Sequence, residues 1–163
     1  SGYEVWAPSL PDSHRPDKDR YWNFLSSSDW DFTDNVIVGH SSGATSVLNL
    51  LTMGDFPKIR AAVLVGVFLN ENLTSQLKDF GKEQFAHLFP EGGFDWTAIK
   101  RKAERFYFAH GDDDSYCLYD DAVQACELVG GEMITIKNGG HLSARFGTEF
   151  PQLTNVLMHD KIL

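Results

Sequence analysis

A serine flanked by glycines lies where a short apolar run of the sequence ends. The segment DNVIVGHSSGA, residues 34–44, closes with Gly39-His40-Ser41-Ser42-Gly43, which satisfies the pattern G-x-S-x-G. A sharp turn from strand to helix would lift the Ser41 hydroxyl clear of the sheet, and the flanking glycines would let backbone segments pass closely. We therefore expect Ser41 to be a nucleophile, with the backbone N–H of Ser42 donating to an oxyanion. A tight turn that holds a serine without catalytic use is the alternative.

A serine nucleophile needs a base, and His141 is the histidine whose position fits that role. It follows the apolar segment 133–137 in the loop Asn138-Gly139-Gly140-His141-Leu142, whose glycines would let the imidazole swing towards the serine. We interpret His141 as the general base that takes and returns the serine proton. His40 and His110 end apolar runs and are interpreted as structural. The remaining histidines are interpreted as surface residues: His14, His87 and His159.

A carboxylate must orient the base, and the segment FYFAHGDDD, residues 106–114, ends in three aspartates. We favour Asp114, because the loop has to turn back after the preceding glycine before a carboxylate can reach His141. The carboxylate would hold the imidazole in its useful tautomer and stabilise the charged form. Asp112 and Asp113 are interpreted as a solvated turn, and Glu71 is a weaker alternative acid.

Neither a metal nor a cofactor is expected from the side chains available. Cys117 and Cys126 lack the spacing of a zinc site and have no further cysteine to join. A metal site that uses His110 with Asp112 or Asp114 is chemically feasible, but no second histidine or carboxylate cluster supports it.

Composition narrows the class of protein. The chain has 163 residues, of which 42% are hydrophobic, so it can bury one sizeable core and we expect a single domain over 1–163. The formal net charge of −9 argues against nucleic acid or an anionic membrane surface as the main partner. No apolar stretch approaches the roughly 20 residues that span a bilayer. Two cysteines without a disulfide framework fit a reducing, cytoplasmic setting.

The elements that must position these side chains alternate along the chain. Strands are predicted over residues 3–7, 35–38, 61–69, 105–109 and 132–137. Helices are predicted over residues 18–27, 42–53, 96–103, 119–129 and from about 151 onwards. This alternation is typical of an α/β protein with a parallel sheet and helices on both faces, in which ligands bind beyond the carboxyl ends of the strands.

Residues 70–93 break the alternation, with helix-like stretches at 75–80 and 83–89. We interpret them as a helical insertion that covers an edge of the sheet. Ordinary packing is the favoured role of its large apolar side chains, and lining of a substrate pocket is the alternative. The side chains in question are Phe80, Phe85, Leu88 and Phe89.

These residues resemble the small serine hydrolases related to retinoblastoma-binding protein and their bacterial relatives described as predicted α/β-hydrolase esterases. The resemblance runs along most of the chain and is carried by residues 2–11, VIVGHSSGA, residues 94–100, FYFAHGDDD and residues 138–142. It implies a three-layer α/β-hydrolase fold with a doubly wound, mostly parallel sheet. It also implies a metal-free cytoplasmic hydrolase of small esters or acyl groups, with Ser41, Asp114 and His141 as its triad.

Two departures from the family pattern stand out. Members carry a proline after the acid, whereas Ser115-Tyr116-Cys117-Leu118 follows Asp114 in this chain. Members also begin with a strand and a loop that bears a second oxyanion donor, whereas Gly2 already opens what reads as their second strand. We therefore expect the sheet to lack its first strand, and the source of the second donor stays open.

The sequence predicts a serine hydrolase that cleaves a small ester or acyl substrate through an acyl-enzyme intermediate on Ser41. One alternative is a protein that keeps the fold with weak or no turnover and acts as a binding module for a protein partner. A more remote alternative is acyl transfer at the same three residues.

Overall fold

The computed structural model describes residues 2–71, 73, 83–143 and 149–163. The helices are α1 (Lys18–Ser26), α2 (Ser42–Thr52), α3 (Trp96–Lys102), α4 (Tyr119–Val129) and α5 (Pro151–His159). The strands are β1 (Val36–His40), β2 (Ile59–Val65), β3 (Ala103–Gly111) and β4 (Glu132–Ile136). The predicted helices are confirmed almost to the residue, and strand and helix alternate from β1 onwards.

Within the described residues the four strands form one parallel sheet in the order β1-β2-β3-β4. Each new strand is added on the same side of the one before it. Right-handed crossovers that all advance in one direction place their helices on one face of a sheet. The connecting helices α2, α3 and α4 accordingly share one hydrophobic cluster with α1. Helix α5 packs against the opposite face, which gives three layers.

From Ala61 to Val65 the inner strand β2 is apolar without interruption, and its packing shows why. Ala62 and Leu64 belong to the cluster under α2, α3 and α4, whereas Ala61 and Val63 belong to the cluster under α5. All four side chains are fully buried. A strand covered by helices on both faces needs apolar residues at every position. The sheet therefore sits in the core, and its strand ends are where polar side chains can meet.

The predicted strand over residues 3–7 is wrong, because this segment is irregular and pairs with no described strand. Val5 is 83% exposed. Trp6 instead stacks on Trp30, with ring centroids 5.4 Å apart, and meets the edge of Phe32 at 5.8 Å. A single aromatic anchor produces the same local alternation of polar and apolar residues as a strand, but a strand also needs a hydrogen-bonded neighbour.

The predicted third strand also ends earlier than residue 69, because the chain turns at Gly66, where φ is 59°. Of the predicted insertion, residues 75–80, which include Phe80, lie outside the described residues. Glu83 and Gln84 are helical, and turns follow them. The Phe68 ring contacts Phe85 at 5.1 Å in a buried cluster, which favours the packing interpretation.

None of the helices in the described parts of the chain is long and apolar enough to cross a lipid bilayer.

Candidate active site

Ser41 occupies the turn between β1 and α2 with φ 56° and ψ −124°. A non-glycine residue is strained in this conformation, and it persists only where the surroundings enforce it. The Ser41 N–H donates to the carbonyl oxygen of Val65 at 2.8 Å, and its own carbonyl oxygen accepts from the N–H of Ala44 at 2.9 Å. The turn is thus tied to β2 on one side and to the first turn of α2 on the other.

The two glycines around the serine are not equivalent in the structure. A Cβ built on Gly39 would lie 2.5 Å from the carbonyl oxygen of Gly43 and 2.7 Å from the Cα of Ala44. A Cβ built on Gly43 would meet no described atom within 4 Å. The close backbone approach expected of both glycines therefore constrains only the first of them.

The three residues predicted to act together lie in hydrogen-bond contact. The Nε2 atom of His141 is 3.0 Å from the Oγ of Ser41, and its Nδ1 atom is 2.8 Å from the Oδ2 of Asp114. A carboxylate only accepts, so the partners assign the proton to Nδ1 and leave Nε2 to accept from the serine hydroxyl. Glu71, the alternative acid, is exposed, and within the described residues only Asp114 places a carboxylate within 4 Å of the imidazole.

Asp114 is deeply buried, with 1% of its side chain exposed, yet its partners favour the charged form. Its Oδ1 atom accepts from the N–H of Tyr116 at 2.7 Å and of Cys117 at 3.0 Å. Burial by itself would raise the pKa of Asp114, but hydrogen bonds from His110, His141 and these two amides outweigh it and hold that pKa well below its usual range. The segment that lacks the family's proline is thereby bonded to the acid through its own amides.

The two neighbouring aspartates do more than form a solvated turn. Asp112 accepts from the N–H of Asn138 at 2.7 Å, and Asp113 accepts from the N–H of Gly140 at 2.8 Å. Both side chains are exposed, as predicted, but they bind the loop after β4 to the loop after β3. Their interpretation as a solvated turn alone is wrong, and they hold the backbone that carries His141.

His40 supports the same loop from the side of β1. Its Nε2 atom lies 2.8 Å from the carbonyl oxygen of His141, and the two imidazole rings are 4.9 Å apart. Burial lowers the pKa of His40, and the bond to that carbonyl only partly opposes this effect. The Tyr116 ring also contacts the His141 ring, with centroids 5.1 Å apart. The sequence offers no signal for Tyr116, whereas His40 was visible as a histidine beside the serine.

The side chains of this site are poorly suited to bind a metal ion. Ligand atoms of Asp114, Cys117 and His141 lie within 4.8 Å of one another. Burial raises the pKa of the Cys117 thiol, and the nearby Asp114 charge raises it further, so the thiolate that a metal requires is disfavoured. Asp112, which the sequence offered as a ligand beside His110, is bonded to Asn138 instead.

Comparison with known proteins assigns this chain to a family. The family model described as Serine hydrolase matches residues 9–159. A search of curated protein sequences gives no match.

Solved structures share the fold at low sequence identity. The ydeN gene product from B. subtilis is 18% identical, with a TM-score of 0.74 over 93% of this chain and 79% of that chain. A serine hydrolase from the polyaromatic hydrocarbon-degrading bacterium Cycloclasticus zankles is 13% identical, with a TM-score of 0.62 over 88% and 70%. A meta-cleavage product hydrolase from Pseudomonas fluorescens IP01 is 14% identical, with a TM-score of 0.60 over 95% and 76%.

These likenesses confirm the predicted three-layer α/β-hydrolase fold. Because the family match extends over most of its residues, the chain belongs to the serine hydrolase family and is an enzyme of that class.

Proposed function

We propose that this enzyme cleaves small ester or acyl substrates through an acyl-enzyme intermediate on Ser41, with His141 as general base and acid and Asp114 as the group that orients it. The observation that carries the proposal is the unbroken line of hydrogen bonds from Ser41 to His141 at 3.0 Å and on to Asp114 at 2.8 Å. The line lies at the carboxyl ends of parallel strands, where α/β proteins bind ligands.

In the first step the Ser41 hydroxyl gives its proton to Nε2 of His141 while Oγ bonds to the substrate's carbonyl carbon. The carbonyl electron pair moves onto oxygen and forms the tetrahedral intermediate. His141 is now charged, and the ionised carboxylate of Asp114 beside Nδ1 stabilises that charge. The low pKa of Asp114 suits this role, because the carboxylate stays ionised and does not take the proton itself.

The new oxyanion needs hydrogen-bond donors, and α2 begins at the serine. The N–H of Ser42 belongs to the first residue of this helix, so it has no partner within the helix, and the helix macrodipole makes this end partly positive. One such donor typically contributes about 2.7–4 kcal/mol of transition-state stabilisation. Ser42 therefore acts through its backbone, and its hydroxyl is not required.

Collapse of the intermediate breaks the bond to the leaving group, which takes the proton from Nε2 of His141. Water then repeats the sequence on the acyl-enzyme: His141 removes a proton from water, the new hydroxyl attacks, and the Ser41 oxygen leaves with that proton. Each residue returns to its starting state, so the cycle consumes only ester and water.

The experiment combines labelling with a fluorophosphonate probe and turnover of p-nitrophenyl acetate. Ser41→Ala should abolish both while the fold is retained, because it removes one hydroxyl from a turn that backbone bonds hold. Ser42→Ala is the matched control and should keep most activity. Equal losses in the two variants would contradict the assignment, and labelling of the wild type without turnover would favour the binding-module alternative.

A further inference from the structure

His110 is a buried imidazole that takes no part in the proton transfers proposed for Ser41 and His141. It lies in β3, one residue before the strand ends, and none of its side chain is exposed. Its Nε2 atom is 3.3 Å from the Oδ2 of Asp114 and 3.4 Å from the carbonyl oxygen of Cys117. Its Nδ1 atom is buried and has no hydrogen-bond partner among the described residues. Buried polar atoms are usually hydrogen-bonded, so the contacts of Nε2 are what can offset the cost of burying this ring.

The partners assign the position of the proton on this ring. Both atoms that face Nε2 are oxygens that only accept, so Nε2 must carry the hydrogen. A second proton on Nδ1 would be a buried donor without an acceptor, which is costly. His110 is therefore a donor towards the carbonyl oxygen of Cys117, with Oδ2 of Asp114 beside it at 3.3 Å.

The carboxylate oxygen nearest to Nε2 of His110 is the one that also faces His141. Oδ2 of Asp114 thus lies between two imidazoles, at 3.3 Å from His110 and 2.8 Å from His141. Oδ1 accepts from the N–H groups of Tyr116 and Cys117. Three hydrogen bonds and the close approach of His110 thus surround the carboxylate, so its plane cannot rotate without losing one of these contacts.

We propose that His110 is a positioning residue for catalysis: its Nε2–H fixes the Asp114 carboxylate and shares the charge of Oδ2 with His141. This inference rests on the proposed function, because it extends the same line of hydrogen bonds by one member. Without His110, Oδ2 would have greater freedom to turn away, and its charge would fall on His141 alone.

Other titratable groups also face His110. On α4, Asp121 accepts from the N–H of Leu69 at 3.1 Å, and the Tyr119 ring meets the His110 ring edge-on at 5.8 Å. Burial raises the pKa of Asp121. Of Asp114, Asp121 and Tyr119, only Asp114 has a side-chain atom within hydrogen-bond distance of His110, so it is the partner through which His110 acts.

The first measurement is kcat and the pH dependence of kcat/KM for p-nitrophenyl acetate. His110→Leu should lower kcat roughly ten- to a hundredfold, the range for a lost hydrogen bond to a charged group, with KM little changed. The acid limb of kcat/KM should move to higher pH, because Asp114 then stabilises a charged His141 more strongly. The amide of His110→Gln can place a donor near the position of Nε2. This variant should therefore restore most of kcat and return the acid limb of kcat/KM to near its wild-type pH.

A double-mutant cycle then tests whether His110 acts through Asp114. In an Asp114→Asn background, His110→Leu should lower kcat by less than about twofold, because the partner has already gone. Tyr107→Phe is the control for loss of a buried donor from the same strand, since the Tyr107 hydroxyl bonds Asp160 on the opposite face at 2.7 Å. It should lower stability without moving the acid limb.

If His110→Leu does not fold, as judged by circular dichroism, His110→Asn replaces it, because its shorter amide falls short of Oδ2. Equal kcat and equal acid limbs for the variant and the wild type, or the same loss in the Asp114→Asn background, would overturn the proposal. Ser41→Ala separates the two levels of inference. If it retains turnover, the proposed function fails and this inference with it; if it is inactive while His110→Leu is normal, only this inference fails.

Discussion

Alanine at the two glycines of G-x-S-x-G should change Tm in opposite directions: Gly39→Ala should lower it, and Gly43→Ala should raise it. Gly39→Ala places a Cβ 2.5 Å from the carbonyl oxygen of Gly43, about 1 Å inside the usual 3.5–4.0 Å contact between heavy atoms. The atoms it meets are backbone atoms, which cannot rotate away. Overpacking of this kind typically costs about 1–3 kcal/mol, and a domain of this size loses about 2–4 °C of Tm for each kcal/mol. Displacement of Ser41 by about 1 Å would also lower kcat roughly a hundredfold.

Gly43→Ala meets open space at a helical position, with no described atom within 4 Å of the new Cβ. Alanine is favoured over glycine inside a helix by about 0.5–1 kcal/mol, so Tm should rise by about 1–4 °C. Differential scanning calorimetry of the two variants and the wild type is the assay. A fall in Tm for Gly43→Ala, or an unchanged Tm for Gly39→Ala, would refute the assignment of the close approach to the first glycine.

The remaining predictions concern the residues that hold His141. Asp114→Asn should lower kcat by up to about ten-thousandfold, as expected when the wrong tautomer is stabilised, whereas Asp112→Asn should lower it about tenfold or less. Because the folded pKa of Asp114 lies below the unfolded value of about 3.9, its stabilisation is complete above that value and is lost as pH falls through the folded pKa. Denaturant unfolding should therefore show a steeper loss of stability below about pH 4 in the wild type than in Asp114→Asn. His40→Phe keeps a ring beside His141 and removes the bond to its carbonyl oxygen, so steady-state assays should show kcat reduced by about two- to tenfold.

Local sequence signals account for the parts of the fold that were predicted well. Helices α1 and α3 begin where Asp17 and Asp95 accept from N–H groups in their first turns, and α4 ends at Gly130 in the left-handed conformation. The strand before Ser41 and the helix after it are set by adjacent residues in the same way. Signals of this kind lie within a few positions of the element they define, so one sequence is enough to find them.

Features that depend on distant partners could not be predicted. The segment around Val5 alternates like a strand, but whether it pairs depends on residues far along the chain. Asp112 and Asp113 were visible as carboxylates, yet their partners in the loop of His141 lie 26 and 27 positions away. His110 was visible as a histidine at the end of a strand, and only the fold shows that its Nε2 faces Asp114. The sequence supplies the chemical groups, and the sheet order decides which of them meet.

The order of the strands also separates the serine from its base, and glycines at two strand ends allow them to meet. Ser41 follows β1 and His141 follows β4, and three strand spacings of about 4.8 Å separate those strands. The loop after β4 must therefore cross the ends of β3 and β2 to reach the serine. At β3, a Cβ on Gly111 would overlap the backbone of Gly140, and at β2, a Cβ on Gly66 would lie 3.3 Å from the His141 ring. Because glycine occupies both points, the loop can pass close to the backbone there, and the base that follows β4 reaches the nucleophile that follows β1.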